Sequence, residues 1–199
     1  MINLLNLTPE ELSDLLGSWG EPAFRAGQIF GWLHQKQAAT FDEMTNLPKS
    51  LRGKLEEHCT TGNLNLKKRL ASALDGTVKY LYGLEDGAAV EGVVMRYRHG
   101  NSLCISTQVG CRMGCGFCAS TLGGLVRDLS AGEMLGEVYA AARDLPEGEK
   151  IGSVVLMGIG EPLDNFDNVC KFLELLSHPK GFGMSLRHVS LSTCGLVDG

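Results

Sequence analysis

Apolar and polar positions alternate with a helical period at the start of the chain, with a strand period in the middle, and with both in turn thereafter. Thr8-Pro9-Glu10-Glu11 combines a capping hydroxyl, a proline at the first helical position and a carboxylate three residues after the cap, so a helix begins here and runs to about Leu16. Gly17 to Gly20 interrupt it. Pro22 opens a second helix through about Gln35, with Phe24, Ile29, Trp32 and Leu33 forming an apolar stripe and Trp32 assigned to the core. Leu47-Pro48-Lys49 introduces a third helix to about His58. From Leu64 the period shortens. Leu64–Leu66, Thr77–Tyr82, Val90–Tyr97 and Ser102–Gln108 read as strands, punctuated by Asp75-Gly76, Asp86-Gly87 and His99-Gly100-Asn101. A second capping box, Ser130-Ala131-Gly132-Glu133, starts a helix to about Arg143; a strand at Ile151–Met157, a helix at Phe166–Leu176 and a strand at Arg187–Thr193 follow.

Strands that alternate with helices after residue 102 imply an α/β fold: a parallel sheet with right-handed crossovers, whose loops after the strand C-termini share one face. Three segments are expected: a helical module over 1–60, a β-rich connecting segment over 61–101, and an α/β core over 102–199. Three loops of the core should meet on that face: the cysteine-rich run after the first core strand, Gly158-Ile159-Gly160-Glu161-Pro162, and Ser192-Thr193-Cys194-Gly195.

Composition narrows the class. With 44% hydrophobic and 21% charged residues, the 199-residue chain has the balance of a globular protein. It has no bilayer-length apolar run and no basic start with a cleavage site, so a cytoplasmic location is expected. Seven cysteines, three of them clustered, favour a reducing compartment over a disulfide framework. The formal charge of -5 argues against general nucleic-acid affinity. Lys49, Arg52, Lys54, Lys67, Lys68 and Arg69 are a local exception, read either as a phosphate-tracking surface or as a solvated charged face.

The chemistry is concentrated in Cys111-Arg112-Met113-Gly114-Cys115-Gly116-Phe117-Cys118. Three thiolates wrapped over two glycines suit an iron–sulfur cube with one iron left for a non-protein ligand; a zinc knuckle completed by Cys104 or His99 is the alternative. Gly158–Pro162 lacks the third glycine and the Lys-Ser/Thr pair of a phosphate cradle, but close backbone approach and the Glu161 carboxylate suit a ligand's ammonium group. Glu91, among Val90, Val93, Val94 and Met95, reads as a carboxylate with a raised pKa suited to taking a proton, or as a solvent-facing strand residue. Cys59, Cys104, Cys170 and Cys194 read as small buried hydrophobes, and the histidines share no ligand spacing.

The cysteine spacing, with an aromatic before the third thiol, resembles the loop of the radical S-adenosylmethionine superfamily. Val90-Glu91, Leu103–Cys111, Met157–Asn165, Arg187–Thr193 and the helical Phe24–Phe30 together resemble the RlmN/Cfr group of RNA adenine methyltransferases. That resemblance implies a partial (β/α) barrel and a 4Fe–4S cluster on Cys111, Cys115 and Cys118. It implies S-adenosylmethionine contacts at Gly160, Glu161 and Ser192, a proton acceptor at Glu91, and a transient disulfide at Cys104. The implied reaction methylates C2 of adenine in 23S rRNA and in tRNA beside the anticodon, consuming two S-adenosylmethionine molecules and drawing on an electron donor such as flavodoxin. The helical module would bind RNA. Methylation at adenine C8, or a role only as an iron–sulfur or RNA-binding module, are the alternatives. The family is longer: its later barrel strands and methyl-carrying cysteine have no counterpart in these 199 residues, which implies a parallel sheet ending after about three strands.

Overall fold

The computed structural model describes residues 1–196; the last three positions of the expected core, 197–199, lie outside the described residues. The N-terminal region starts with a two-residue strand β1 (Ile2–Asn3), which pairs in parallel with β2 (Cys59–Thr60) and so brings both ends of the helical region together. Between them lie α1 (Pro9–Ser18), α2 (Phe24–Phe30) and α3 (Lys49–His58). The capping box at Thr8 forms as the residue types dictate, with the Thr8 hydroxyl accepting from the Glu11 amide and Glu11 from the Thr8 amide. The helix expected to run to Gln35 leaves α-helical geometry at Gly31, and Gly31–Gln35 form a π-helical turn. Trp32 is partly buried rather than central to the core: its indole donates to Asn46 and Lys36 lies over its ring at 3.6 Å.

Residues 65–191 build one six-stranded sheet in the order β10-β9-β6-β5-β4-β3. Its strands are β3 (Asn65–Ala71), β4 (Val78–Gly83), β5 (Ala89–Tyr97), β6 (Gly100–Ile105), β9 (Ile151–Leu156) and β10 (Val189–Leu191). β6, β9 and β10 are parallel, whereas β3 to β6 are joined by antiparallel pairing. The strands of 65–97 therefore continue the same sheet, β5 pairing with the parallel strand β6. The ribbon β7 (Gln108–Gly110) and β8 (Leu125–Asp128) stands at the exit of β6, so the strand expected to run from Ser102 to Gln108 is divided at Ser106–Thr107. β3 contains Lys67, Lys68 and Arg69, which sequence reading did not assign to a strand.

Two helices, α4 (Ala131–Asp144) and α5 (Phe166–Ser177), complete the crossovers. One face of the sheet, with Tyr80, Tyr82, Val90, Val94, Leu103, Ile105, Val154 and Leu156, is buried in a core that includes Met134, Leu135 and Val138 of α4 and Phe172 of α5. The opposite face is open. Across it, Lys79, Val93, Cys104, Val155 and Ser190 are successive cross-strand neighbours, all half-buried or exposed. The described strands form an open sheet, the partial barrel that an α/β barrel becomes when only part of its strand ring is present.

Candidate functional site

The three predicted loops do converge beyond the C-terminal ends of β6, β9 and β10, because parallel strands deliver their exits to one edge. The cysteine loop is the tip of the β7–β8 ribbon. The Cys111 amide donates to the Gly124 carbonyl at 3.1 Å and the Cys118 amide to the Cys115 carbonyl at 3.0 Å. Gly110 at its base has φ +76°, and a Cβ there would lie 2.0 Å from the Gly124 carbonyl oxygen, so glycine is required for the ribbon to close. Cys111 is buried, Cys115 and Cys118 are half-buried, and all three thiols are free. In chemical type this donor set fits an iron–sulfur cluster. The side chains are not drawn together, however: among the described residues no three His, Cys, Asp or Glu groups are gathered to metal-holding distance.

Gly158 and Gly160 fit their loop against the cysteine segment. A Cβ on Gly158 would approach the Ile105 carbonyl oxygen to 2.5 Å, and one on Gly160, at φ +109°, would meet Gln108 Cβ at 2.6 Å. The Thr107 amide donates to the Ile159 carbonyl at 2.8 Å, and the Glu161 amide donates to Gln108 Oε1 at 2.8 Å. Glu161 is 4% exposed. Its carboxylate accepts from the Leu163 amide at 3.0 Å and the Cys194 amide at 2.8 Å, tying the β9 and β10 loops together. Burial works against its charge, but the Cys194 amide, the Thr193 hydroxyl and the Leu163 amide outweigh burial and hold the carboxyl below its usual range.

The remaining expected residues are placed unevenly. Ser192 follows β10, is exposed, and its amide lies 3.5 Å from the Leu156 carbonyl. Glu91 is in β5 at the cysteine-loop end of the sheet, since the Ser106 hydroxyl donates to its carbonyl at 2.9 Å. Its carboxylate is not enclosed by the neighbouring valines. Val90 and Val94 face the core, whereas Glu91 points to the open face, 43% exposed, and pairs with Lys79 at 2.8 Å. Cys104 shares that face; burial pushes its thiol up. His99 lies in the β5–β6 turn, at the other end of β6 from the cysteine loop, which removes it as a fourth ligand beside Cys111–Cys118. Of the cysteines read as buried hydrophobes, Cys59 is buried and its thiol is raised to about 11 by burial, but Cys170 and Cys194 are exposed. The Cys194 thiol is pushed up by its hydrogen bond to Glu161, with smaller contributions from burial and from charge at Glu161 and Cys115.

Several residues inside or beside the motif stretches have structural roles that the sequence did not assign to them. Gln108 donates to both Asp128 and Asp164 at 2.8 and 2.9 Å, and Arg112 grips Asp164 with a two-pronged contact that includes a 2.9 Å bond. Arg112 holds the Asp164 carboxyl low. Asn165, 2% exposed, donates to the Thr107 and Leu129 carbonyls at 2.8 Å each. Beneath the sheet, Glu137 of α4 is fully buried and accepts from the Ser106 amide at 3.2 Å; burial pushes its carboxyl well above the usual range. The basic run is partly neutralised: Arg52 bonds Asp42, Arg69 bonds Asp144, and Lys54 lies over Trp19, while Lys67 and Lys68 form no ion pair among the described residues.

The fold is similar to the crystal structure of a radical SAM methyltransferase from Sphaerobacter thermophilus, with TM-score 0.95 and 38% sequence identity, covering 100% of this chain and 58% of that one. The architecture and its loop edge are those of the radical SAM methyltransferase class. Residues 2–61 match the family described as the ribosomal RNA large subunit methyltransferase N-terminal domain. Two relatives named "Probable dual-specificity RNA methyltransferase RlmN", from Clostridium perfringens and Alkaliphilus oremlandii, are 54% and 52% identical over 197 and 196 residues, covering 99% and 98% of this chain. Over nearly all of its residues the chain is similar to these RlmN proteins. It spans about 56% of the length of these curated relatives.

Proposed function

We propose that the chain supplies the cluster and cofactor site of a radical methyltransferase acting on C2 of adenine in 23S rRNA and in tRNA beside the anticodon, with two S-adenosylmethionine molecules used per methyl group. One observation carries this reading: the exits of three parallel strands bring three free thiols, a glycine loop fitted against them and the β10 loop to one edge, with Glu161 bonded across two of the loops.

In this reading Cys111, Cys115 and Cys118 hold a 4Fe–4S cluster. When bound and reduced, that group supplies one electron to the sulfonium of S-adenosylmethionine, and the protein's part is to bind and orient. Gly160 lets the backbone approach the ligand without a side chain, Glu161 keeps a charged carboxylate at the junction of two loops, and Ser192 offers a hydroxyl at the strand end. Glu91 presents its carboxylate on the open face, as half of an ion pair, where it accepts the substrate's proton. Cys104 lies on the same face, two register positions from Glu91, and is available for transient pairing with a second cysteine. RNA contact falls to the helical region and to Lys67 and Lys68 on the exposed strand β3, and reducing equivalents come from a donor such as flavodoxin.

Anaerobic reconstitution with iron and sulfide, followed by metal and sulfide analysis, tests the site. Iron and sulfide at the 4Fe–4S ratio are expected, lost on Cys115→Ala; stoichiometric zinc without sulfide would reject the reading. Nucleoside mass spectrometry of RNA treated with an enzyme of the relatives' full length tests the regiochemistry. The expected product is 2-methyladenosine, and 8-methyladenosine alone would overturn the C2 assignment.

A further inference from the structure

A carboxyl group on the buried face of a helix needs a reason, since an apolar residue there would cost nothing to desolvate. Glu137 sits among Met134, Leu135, Val138 and Ala141 of α4, fully enclosed, and faces the end of β6. It accepts from the Ser106 amide at 3.2 Å, just where the chain leaves the β-ladder and that amide would otherwise be unpaired. Ser106 is itself fully buried, and its hydroxyl serves two other segments. It donates to the Glu91 carbonyl at 2.9 Å and accepts from the Ile159 amide at 3.1 Å. Gly92, next to Glu91, is fitted to the same carboxyl: a Cβ there would meet the Tyr82 ring at 3.2 Å and Glu137 Oε2 at 3.3 Å. The buried carboxyl is thus in touch with Ser106 directly, and through it with the strand of the proposed proton acceptor and the loop of the proposed cofactor contacts.

We infer that Glu137 is a positioning residue: it anchors the Ser106 amide from beneath the sheet, and through the Ser106 hydroxyl sets the spacing between the Glu91 strand and the Gly158–Pro162 loop. Its consequence for ligand binding rests on the function proposed above; the anchoring itself does not. The group needs hydrogen-bonding capacity rather than charge, so Glu137→Gln retains the arrangement, whereas Glu137→Leu removes the acceptor and leaves the Ser106 amide buried without a partner.

Hydrogen exchange followed by NMR, together with S-adenosylmethionine titration of the anaerobically reconstituted chain, tests this. In Glu137→Leu the Ile159 amide should exchange about tenfold faster, the scale of one lost hydrogen bond, while ladder amides such as Val154 and Leu103 keep wild-type protection. Ligand affinity should fall by a similar factor, and Glu137→Gln should match wild type in both. Ser106→Ala should reproduce the loss, and adding Glu137→Leu to it should change affinity no further. Uniform acceleration of all sheet amides, an unaltered Ile159 amide, or full additivity of the two substitutions would overturn the inference. Should Glu137→Leu not fold, the other two variants decide: an unchanged Ile159 amide in Ser106→Ala, or a disturbed one in Glu137→Gln, rejects the coupling. If the wild-type chain takes up the cluster and binds no S-adenosylmethionine while the Ile159 responses hold, the functional reading falls and the anchoring stands.

Discussion

Gly160 shows how a single position can be read twice. In the sequence it belongs to a glycine-rich stretch after a strand, which suggests close backbone approach; in the structure what comes close is the protein's own Gln108, Cβ to virtual Cβ at 2.6 Å, at φ +109°. Gly160→Ala is therefore expected to cost about 1–3 kcal/mol of stability, measured as a lowered urea midpoint at unchanged slope, because both conformational strain and a clash with backbone oppose it. Glu91 is the opposite case. Its four apolar neighbours left an enclosed carboxyl and a solvent-facing one both open; alternate residues of a strand face opposite ways, so Val90 and Val94 enter the core while Glu91 meets Lys79 on the open face. Glu137 carried no signal at all, since its partner Ser106 lies 31 residues away and only packing brings them together.

At the scale of elements, local chemistry was the reliable guide. The two capping boxes fixed the starts of α1 and α4 because a Ser or Thr hydroxyl and a carboxylate three residues on satisfy amides within the same turn. Ser130→Ala is expected to lower stability by about 1 kcal/mol in equilibrium denaturation. Glu133→Ala should cost more than Ser130→Ala, since Glu133 also receives two bonds from Arg127, at 2.9 and 2.8 Å; equal losses would show that the Arg127 contact contributes nothing. The miss was the length of β3. The strand expected at Leu64–Leu66 continues through Lys67-Lys68-Arg69 to Ala71 and pairs with β4, and Arg69 also reaches Asp144 at 2.8 Å. All of β3 is exposed, so no apolar alternation marks it as a strand, and only the partner β4 supplies its structure.

At the scale of the whole molecule, the helical region is locked to the core through His34. Its ring is fully buried, stacks on Phe30, and its Nδ1 lies 2.8 Å from the Tyr139 hydroxyl of α4. Burial, with a further contribution from His178, lowers its pKa to about 3, so the folded protein keeps it neutral. The unfolded chain, titrating near the ordinary 6.5, takes up a proton that the native state refuses. Stability contributed by this site is present above about pH 6.5 and is lost as pH falls toward 3, with a slope approaching 1.4 kcal/mol per pH unit. Denaturation midpoints between pH 7 and 4.5 check this: His34→Leu should flatten the acid limb, and an unaltered slope would rule His34 out as its source. Tyr139→Phe should cost about 1–3 kcal/mol by leaving Nδ1 buried without its partner. Local sequence dictates the starts of α1 and α4, the strand–helix alternation and the three loops that meet at one edge, because these depend on contacts within a few residues and on the rule that parallel strands share an exit side. Long-range packing commits Glu161 to the β10 loop, leaves Glu91 half-exposed and buries Glu137 and His34, because each depends on which distant segment fills the space beside it.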